Sequence, residues 1–263
     1  TRFYWNFAWR APGLQPGTAI TPEGELFSYV GIYSTAAGIN LLYPPTSQTA
    51  QLPYWFYSLG REYAFIIDSF QRGMALETDF RHYSFKGNSK DVLVVFYKPT
   101  DHHCLEVLTP KDGNAPGVPE VSAIALSNSN LTRILTESTP GYPPRDIFGP
   151  EPEHGWCYLY EKADLARQIQ DWSEIVRLGD QAAKKGFTPL TAEADTPFEW
   201  LPFIEGYART GRWQDAQEIS RAAIKKDKRI NARLCSLWAE IATSVPGGEQ
   251  PAGELRKEIG CSE

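Results

Sequence analysis

At Trp156 the hydrophobic period of the chain changes, and this change constrains the fold more than any other feature of the 263 residues. From there to Ala242 apolar residues recur at helical spacing, as on a face buried against a neighbour. Leu159, Ala163, Ala166 and Ile169 or Gln170 mark a first helix. Trp172, Ile175, Val176, Gly179 and Ala182 with Ala183 mark a second, which Gly186 ends and Pro189 keeps from continuing. Pro197 opens a third, carrying Trp200, Phe203, Ile204, Tyr207 and Ala208. Trp213, Ala216, Ile219, Ala222 and Ala223 give a fourth, and residues 230–242, with Leu234, Leu237, Trp238 and Ile241, a fifth. The tail 246–263 holds Gly247, Gly248 and Pro251 and is read as peripheral.

Within this run residues 200–227 resemble a tetratricopeptide repeat. Trp200, Phe203 and Tyr207 stand on the first helix of the pair, Gly211 marks the turn, Trp213 opens the second helix, and Ala216 and Ala223 follow. These are the family's large and small positions in order. Residues 159–189 echo them more weakly: Ala163, Ala166, Trp172 and Ala182 take equivalent places, but Ile175 stands where alanine is usual. The step from Trp172 to Trp213 exceeds the family repeat of about 34 residues, and Thr188–Thr196 supplies the excess as a longer loop. The resemblance covers about residues 157–243 and implies a concave surface for a protein partner. Two repeats and a lone helix fall short of the usual three-repeat minimum. The array is therefore expected to use the N-terminal part as a hydrophobic cap. Residues 155–263 alone are expected to aggregate or to melt below the intact chain, which should unfold in one transition.

Residues 1–150 read as strands and turns, with dense turn chemistry at Pro12-Gly13, Pro44-Pro45, Asp112-Gly113 and Pro143-Pro144 among others. Strands are expected at 63–70, 75–85, 91–97 and 104–108. Val92–Tyr97 is apolar on both faces and should be central. Gly87-Asn88-Ser89-Lys90 reads as the hairpin connection into it. Thr35–Tyr43 reads as a short helix weakened by Gly38, and 110–153 as a long connection wrapping the β part. The fold class is thus α+β: a β-rich, mainly antiparallel domain over 1–150, then a tetratricopeptide-like helical domain over 151–263.

The net charge of −6 gives neither half a basic excess, so nucleic acid is not an expected partner. Arg221, Lys225, Lys226, Lys228, Arg229 and Arg233 form one local exception, read as a solvated helix face. No apolar run approaches the roughly 18 residues of a membrane span. The chain opens on Thr1 and its single methionine is Met74, so it is read as a processed product or an excised piece, joined to a membrane only through an upstream segment. The opening Phe3, Tyr4, Trp5, Phe7, Trp9 and Arg10 suits either a membrane–water interface or a buried edge segment.

Cys104 and Cys157 allow three readings. They can join His102, His103 and His154 in a zinc site, remain buried thiols, or form a disulfide pinning the β part to the first helix. The disulfide is preferred, because each cysteine starts a regular element beside the domain boundary; no metal site is assigned. Asp101-His102-His103-Cys104 spells the protein palmitoyltransferase signature, but the membrane helices and cysteine-rich segment those enzymes need are missing from the sequence. Glu77 and Asp79 share a strand face with Arg81 beside them, which reads as an ion-paired surface. Asn130-Leu131-Thr132 is a glycosylation triplet of a common kind. No catalytic residue and no cofactor is assigned.

Residues 9–18, Asn40-Leu-Leu-Tyr-Pro44, Cys104–Leu108 and Trp156–Ala163 together resemble the C-terminal extracytoplasmic portion of large multispanning bacterial proteins related to lipid-sugar glycosyltransferases. In those proteins the chemistry belongs to the membrane part. The resemblance implies a non-catalytic periplasmic or cell-surface interaction module. The alternative is a carbohydrate-binding or accessory domain, with glycan as a ligand, which the 13% aromatic content would serve.

Overall fold

The computed structural model describes residues 2–24, 26, 31–45, 50–59, 65, 67, 70, 73–98, 100, 103–113, 124–137, 141–191 and 196–261. It contains both helices and sheets and is α+β. The chain divides into two compact units, residues 1–99 with 105–153, and residues 100–104 with 154–263. No helix among the described residues is long and apolar enough to cross a membrane.

The first unit opens with α1 (Arg2–Arg10), followed by β1 (Thr18–Gly24), α2 (Ile32–Leu42), β2 (Gln51–Leu52) and β3 (Tyr54–Phe56). Then come β4 (Ala75–Phe80), β5 (Tyr83–Asn88), β6 (Val92–Tyr97), β7 (Glu106–Leu108) and the single turn of α3 (Arg145–Phe148). One sheet has the order β3-β1-β6-β7 and the other β2-β5-β4. The mainly antiparallel arrangement expected from the turn density does not form, because both sheets are mixed. β1 runs parallel to both β3 and β6, and β2 runs parallel to β5; only β6–β7 and β4–β5 are antiparallel.

The physical reason is a crossover. Parallel neighbours need a connection that returns the chain to the same end, usually a helix. α2 supplies it between β1 and β3, with Thr18 opposite Tyr54. β6 is buried at every position between β1 and β7. A two-faced apolar strand of this kind is the signature of a parallel neighbourhood.

The expected strand 75–85 is a hairpin instead. β4 and β5 meet across Arg81-His82, with Phe80 opposite Tyr83. Arg81 takes a left-handed φ of 55°, a conformation usually marked by glycine or asparagine in such turns. The hairpin expected at 87–90 is therefore displaced, and β5 and β6 lie in different sheets. Most of the strand expected at 63–70 falls outside the described residues; Phe65, Ile67 and Phe70 within it are helical, not extended.

The aromatic opening is buried, as one of its two readings had it, but as a helix, with Phe3, Trp5, Phe7 and Trp9 all 5% exposed or less. Its Arg2, Asn6 and Arg10 recur four apart on one stripe, and the aromatics fill most of the rest of the surface. Its Tyr4 hydroxyl donates to the Thr35 carbonyl of α2. A Cβ on Gly38 would lie 2.2 Å from that hydroxyl oxygen, so glycine there permits the approach of α1 to α2.

Asn40 of α2 fastens the β3 edge: its amide donates to the Ala36 and Tyr54 carbonyls at 2.7 and 3.0 Å, and its oxygen accepts from the Tyr54 N–H at 3.2 Å. An edge strand thereby finds backbone partners without another strand. The described parts of the connection after β7 lie along this unit, through the Leu14–Ile134 and Val92–Ser129 bridges. Asn130 of the glycosylation triplet accepts from the Thr132 N–H and hydroxyl, closing a short 3-10 turn.

The second unit is helical: α4 (Trp156–Gln168), α5 (Trp172–Lys184), α6 (Leu201–Arg209), α7 (Trp213–Lys226), α8 (Asn231–Ser244) and α9 (Glu249–Glu258). α4 packs on α5, α6 on α7 and α8 on α9; α5 also packs on α6, α4 touches α6 and α6 touches α8, so the helices form three stacked pairs. The sixth helix corrects the reading of the tail as peripheral. Ala252 and Leu255 of α9 are fully buried, and Cys261 just beyond it is bonded to Cys235 of α8. The expectation that an open two-pair array must borrow a cap loses its premise at the C-terminal end.

Candidate functional site

Most of the residues singled out in the helical unit build its interior. Trp200, Phe203, Tyr207, Ala216 and Ala223 are buried in one core, and Trp172 and Trp213 pack against it half-buried. Around this core the charged groups are committed to one another. Glu205 on α6 accepts from Arg167 at 2.7 Å and from Arg209 at 2.9 Å. Burial pushes its carboxyl upward, but the two guanidiniums outweigh burial and hold it below the ordinary carboxylate range. The Arg209 guanidinium also lies 4.6 Å over the Trp172 ring, joining α6 to α5.

Tyr207 donates to Asp180 at 3.0 Å, and Arg212 reaches both Asp180 and Asp215. Burial, and then the bond to Asp180, raise the Tyr207 hydroxyl above its ordinary value. These groups tie helices together.

The two cysteines weighed for zinc are bonded to each other, with Cα atoms 5.1 Å apart. Neither can then offer a thiolate to a metal. Cys104 belongs to the helical unit, so the bond is internal to that unit and does not bridge the two. The Cys104 N–H donates to Glu199 at 2.8 Å, and the Trp156 indole N–H donates to the same carboxylate. Asp101 and His102 lie outside the described residues. In the first unit Glu77 faces Lys86 across the hairpin at 4.0 Å, while Arg81 sits in the turn over the Phe80 ring.

Among the described residues the helical unit has a cleft of about 470 Å³ lined by Arg221, Ile224, Lys225, Lys228, Asn231, Glu258 and Ile259. α7 carries Arg221, Ile224 and Lys225 on one face, since these positions recur at helical spacing. The turn after α7 adds Lys228, α8 opens on Asn231, and the end of α9 brings Glu258 and Ile259. Ile224 and Ile259 form an aliphatic, half-buried floor.

Arg221 pairs with Glu258 through both carboxylate oxygens, at 2.8 and 2.9 Å. This pairing raises the arginine and lowers the carboxyl from their usual values. The Asn231 amide donates to the Ile259 carbonyl at 3.1 Å, fixing that wall. Lys225 and Lys228 are exposed, and among the described residues no carboxylate pairs with either. The cleft can therefore hold an anion beside an aliphatic group. Its lining contains no histidine, cysteine or serine to act as acid, base or nucleophile.

Sequence reasoning found the cations but not the wall. Glu258 and Ile259 lay in a tail whose Gly and Pro content argued against a helix. The four cysteines allow two disulfides in three pairings, and the pairing that forms, with Cys235 bonded to Cys261, fastens the tail to α8. No family model matches the chain, and no curated protein and no solved structure is significantly similar to it.

Proposed function

We propose that the chain is a non-catalytic extracytoplasmic interaction module, part of a larger membrane-linked protein, whose tetratricopeptide-like helical unit docks a protein partner. The observation that carries this reading is the set of three stacked helix pairs with an open, basic-rimmed cleft. Two disulfides support placement in an oxidising compartment, since cytosolic thiols are kept reduced. Photo-crosslinking residues placed at exposed positions of α7 and α9 in cells should yield a discrete adduct with one partner. The same residues at exposed positions of β4 should yield none. Adducts absent from every position on the helical unit would refute the reading.

A second reading, a carbohydrate-binding or accessory domain of a glycosyltransferase-type enzyme, is favoured by one feature of the first unit. Tyr33, about half exposed, stacks on Phe80 with centroids 3.6 Å apart, and the exposed Tyr83 is paired with Phe80 across the hairpin. Sugar rings pack on such faces. Saturable oligosaccharide binding lost in Tyr33→Ala would favour it.

A further inference from the structure

We infer that the cleft between α7 and the end of α9 docks an acidic peptide segment of the partner, with its carboxylates on Lys225 and Lys228 and an aliphatic side chain on Ile224 and Ile259. The inference rests on the interaction-module reading and names the chemistry of its partner.

Charge complementarity is the first support. Between residues 221 and 233 stand six cations and one carboxylate, Asp227, in a chain whose net charge is −6. Two carboxylates beside these cations are already used. Asp227 takes Arg229, at 2.6 Å, and Glu258 takes Arg221. Their capture leaves Lys225 and Lys228 as the cations at the rim. Lysine in the last turn of a helix is favoured by the helix dipole, but that role needs no hollow beside it.

The hollow is the second support. A cleft of about 470 Å³ lies within the range of ligand sites, roughly 300–1,000 Å³. Its floor distinguishes between anions. A polyphosphate would gain nothing from two isoleucines. A peptide gains from both, because burying an aliphatic side chain on Ile224 and Ile259 adds to the charge pairing at the rim.

The wall is built rather than incidental. The Cys235–Cys261 disulfide, the Asn231–Ile259 hydrogen bond and the Arg221–Glu258 pair all hold the end of α9 in place. Preorganisation of this kind reduces the ordering cost of binding.

The test uses the full oxidised chain and a fluorescein-labelled, end-blocked eight-residue peptide of alternating glutamate and leucine. Anisotropy titration should saturate. Raising the salt from about 50 to about 300 mM should weaken binding, since rim charges are screened. The double variant Lys225→Glu/Lys228→Glu should bind at least about tenfold more weakly, as should a glutamine counterpart of the peptide to the parent chain. Both lysines are exposed, so circular dichroism should show the variant folded; Lys225→Ala/Lys228→Ala serves if it does not.

Failure to saturate, equal affinity of the double variant, or equal affinity of the glutamine peptide would each overturn the inference. Equal displacement by inorganic tripolyphosphate of both peptides would reassign the cleft to a simple anion. If peptide binding fails while partner adducts persist in the double variant, this assignment falls and the module reading stands; loss of both from the parent chain removes both.

Discussion

Alanine at Gly206 should destabilise the helical unit by about 1–3 kcal/mol, although the same change usually stabilises a helix interior by up to about 1 kcal/mol. The sign is therefore diagnostic. A Cβ at this position of α6 would lie 2.3 Å from the Cγ2 and 2.8 Å from the Cβ of Ile175 on α5. Ile175 is fully buried, and the atoms in the way are next to its backbone, so rotation cannot clear them. Ile175→Ala in the same chain should remove the Cγ2 part of the clash, so the double variant should be less destabilised than the sum of the two single variants. A chemical denaturation cycle over both single variants and the double should thus show a coupling energy above about 0.5 kcal/mol. Additive effects, or a stabilised Gly206→Ala, would mean that α5 and α6 do not approach as described.

Serine at both Cys235 and Cys261 should have the other large effect. The bond joins residues separated by 26 positions, and opening a loop of that size costs on the order of 3 kcal/mol. The loss should concentrate in α9. That helix is ten residues long, contains Pro251 and Gly253, and has only Ala252 and Leu255 in its buried set. Helices this short are marginal by themselves. The variant should keep the circular dichroism of the other helices, melt earlier, and bind the acidic peptide several-fold more weakly because one wall of the cleft is released. An unchanged melt and unchanged affinity would show that packing alone holds α9.

Gly206 also shows what sequence could and could not reveal. Ile175 stood out as a large residue where a small one belongs, but its compensation lies on another helix, 31 positions away. A pattern read along one helix cannot see a size exchange across two. The helices from Trp156 to Ser244 were legible because each carries a regular apolar face against a shared core.

The first unit was harder for a related reason. Strand direction is set by connections, and α2, read as an isolated short helix, is what makes β1 and β3 parallel. The β4–β5 turn was hidden because Arg81 takes the left-handed conformation without the usual residue. α1 was overlooked although Arg2, Asn6 and Arg10 recur four residues apart, because the aromatic content of the segment drew the reading and Asn6 and Arg10 are themselves buried.

The candidate cleft was half legible. Arg221, Lys225 and Lys228 were visible as one basic face, the first two on α7 and the third in the turn after it, and a basic helix face is ordinarily solvated. Only the fold of the tail turns that face into one side of a cleft, and the tail's Gly247-Gly248 and Pro251 conceal a helix that begins directly after them or includes them in its first turn.

The central claim is that three helix pairs, not two and a loose tail, make the helical unit and its cleft. Hydrogen–deuterium exchange of the intact oxidised chain tests it most directly. Peptides spanning α9 should show protection comparable to those spanning α8, and protection in α9 should fall selectively when Cys235 and Cys261 are reduced. Exchange of α9 amides as fast as those of exposed loop residues, with α7 and α8 still protected, would contradict it.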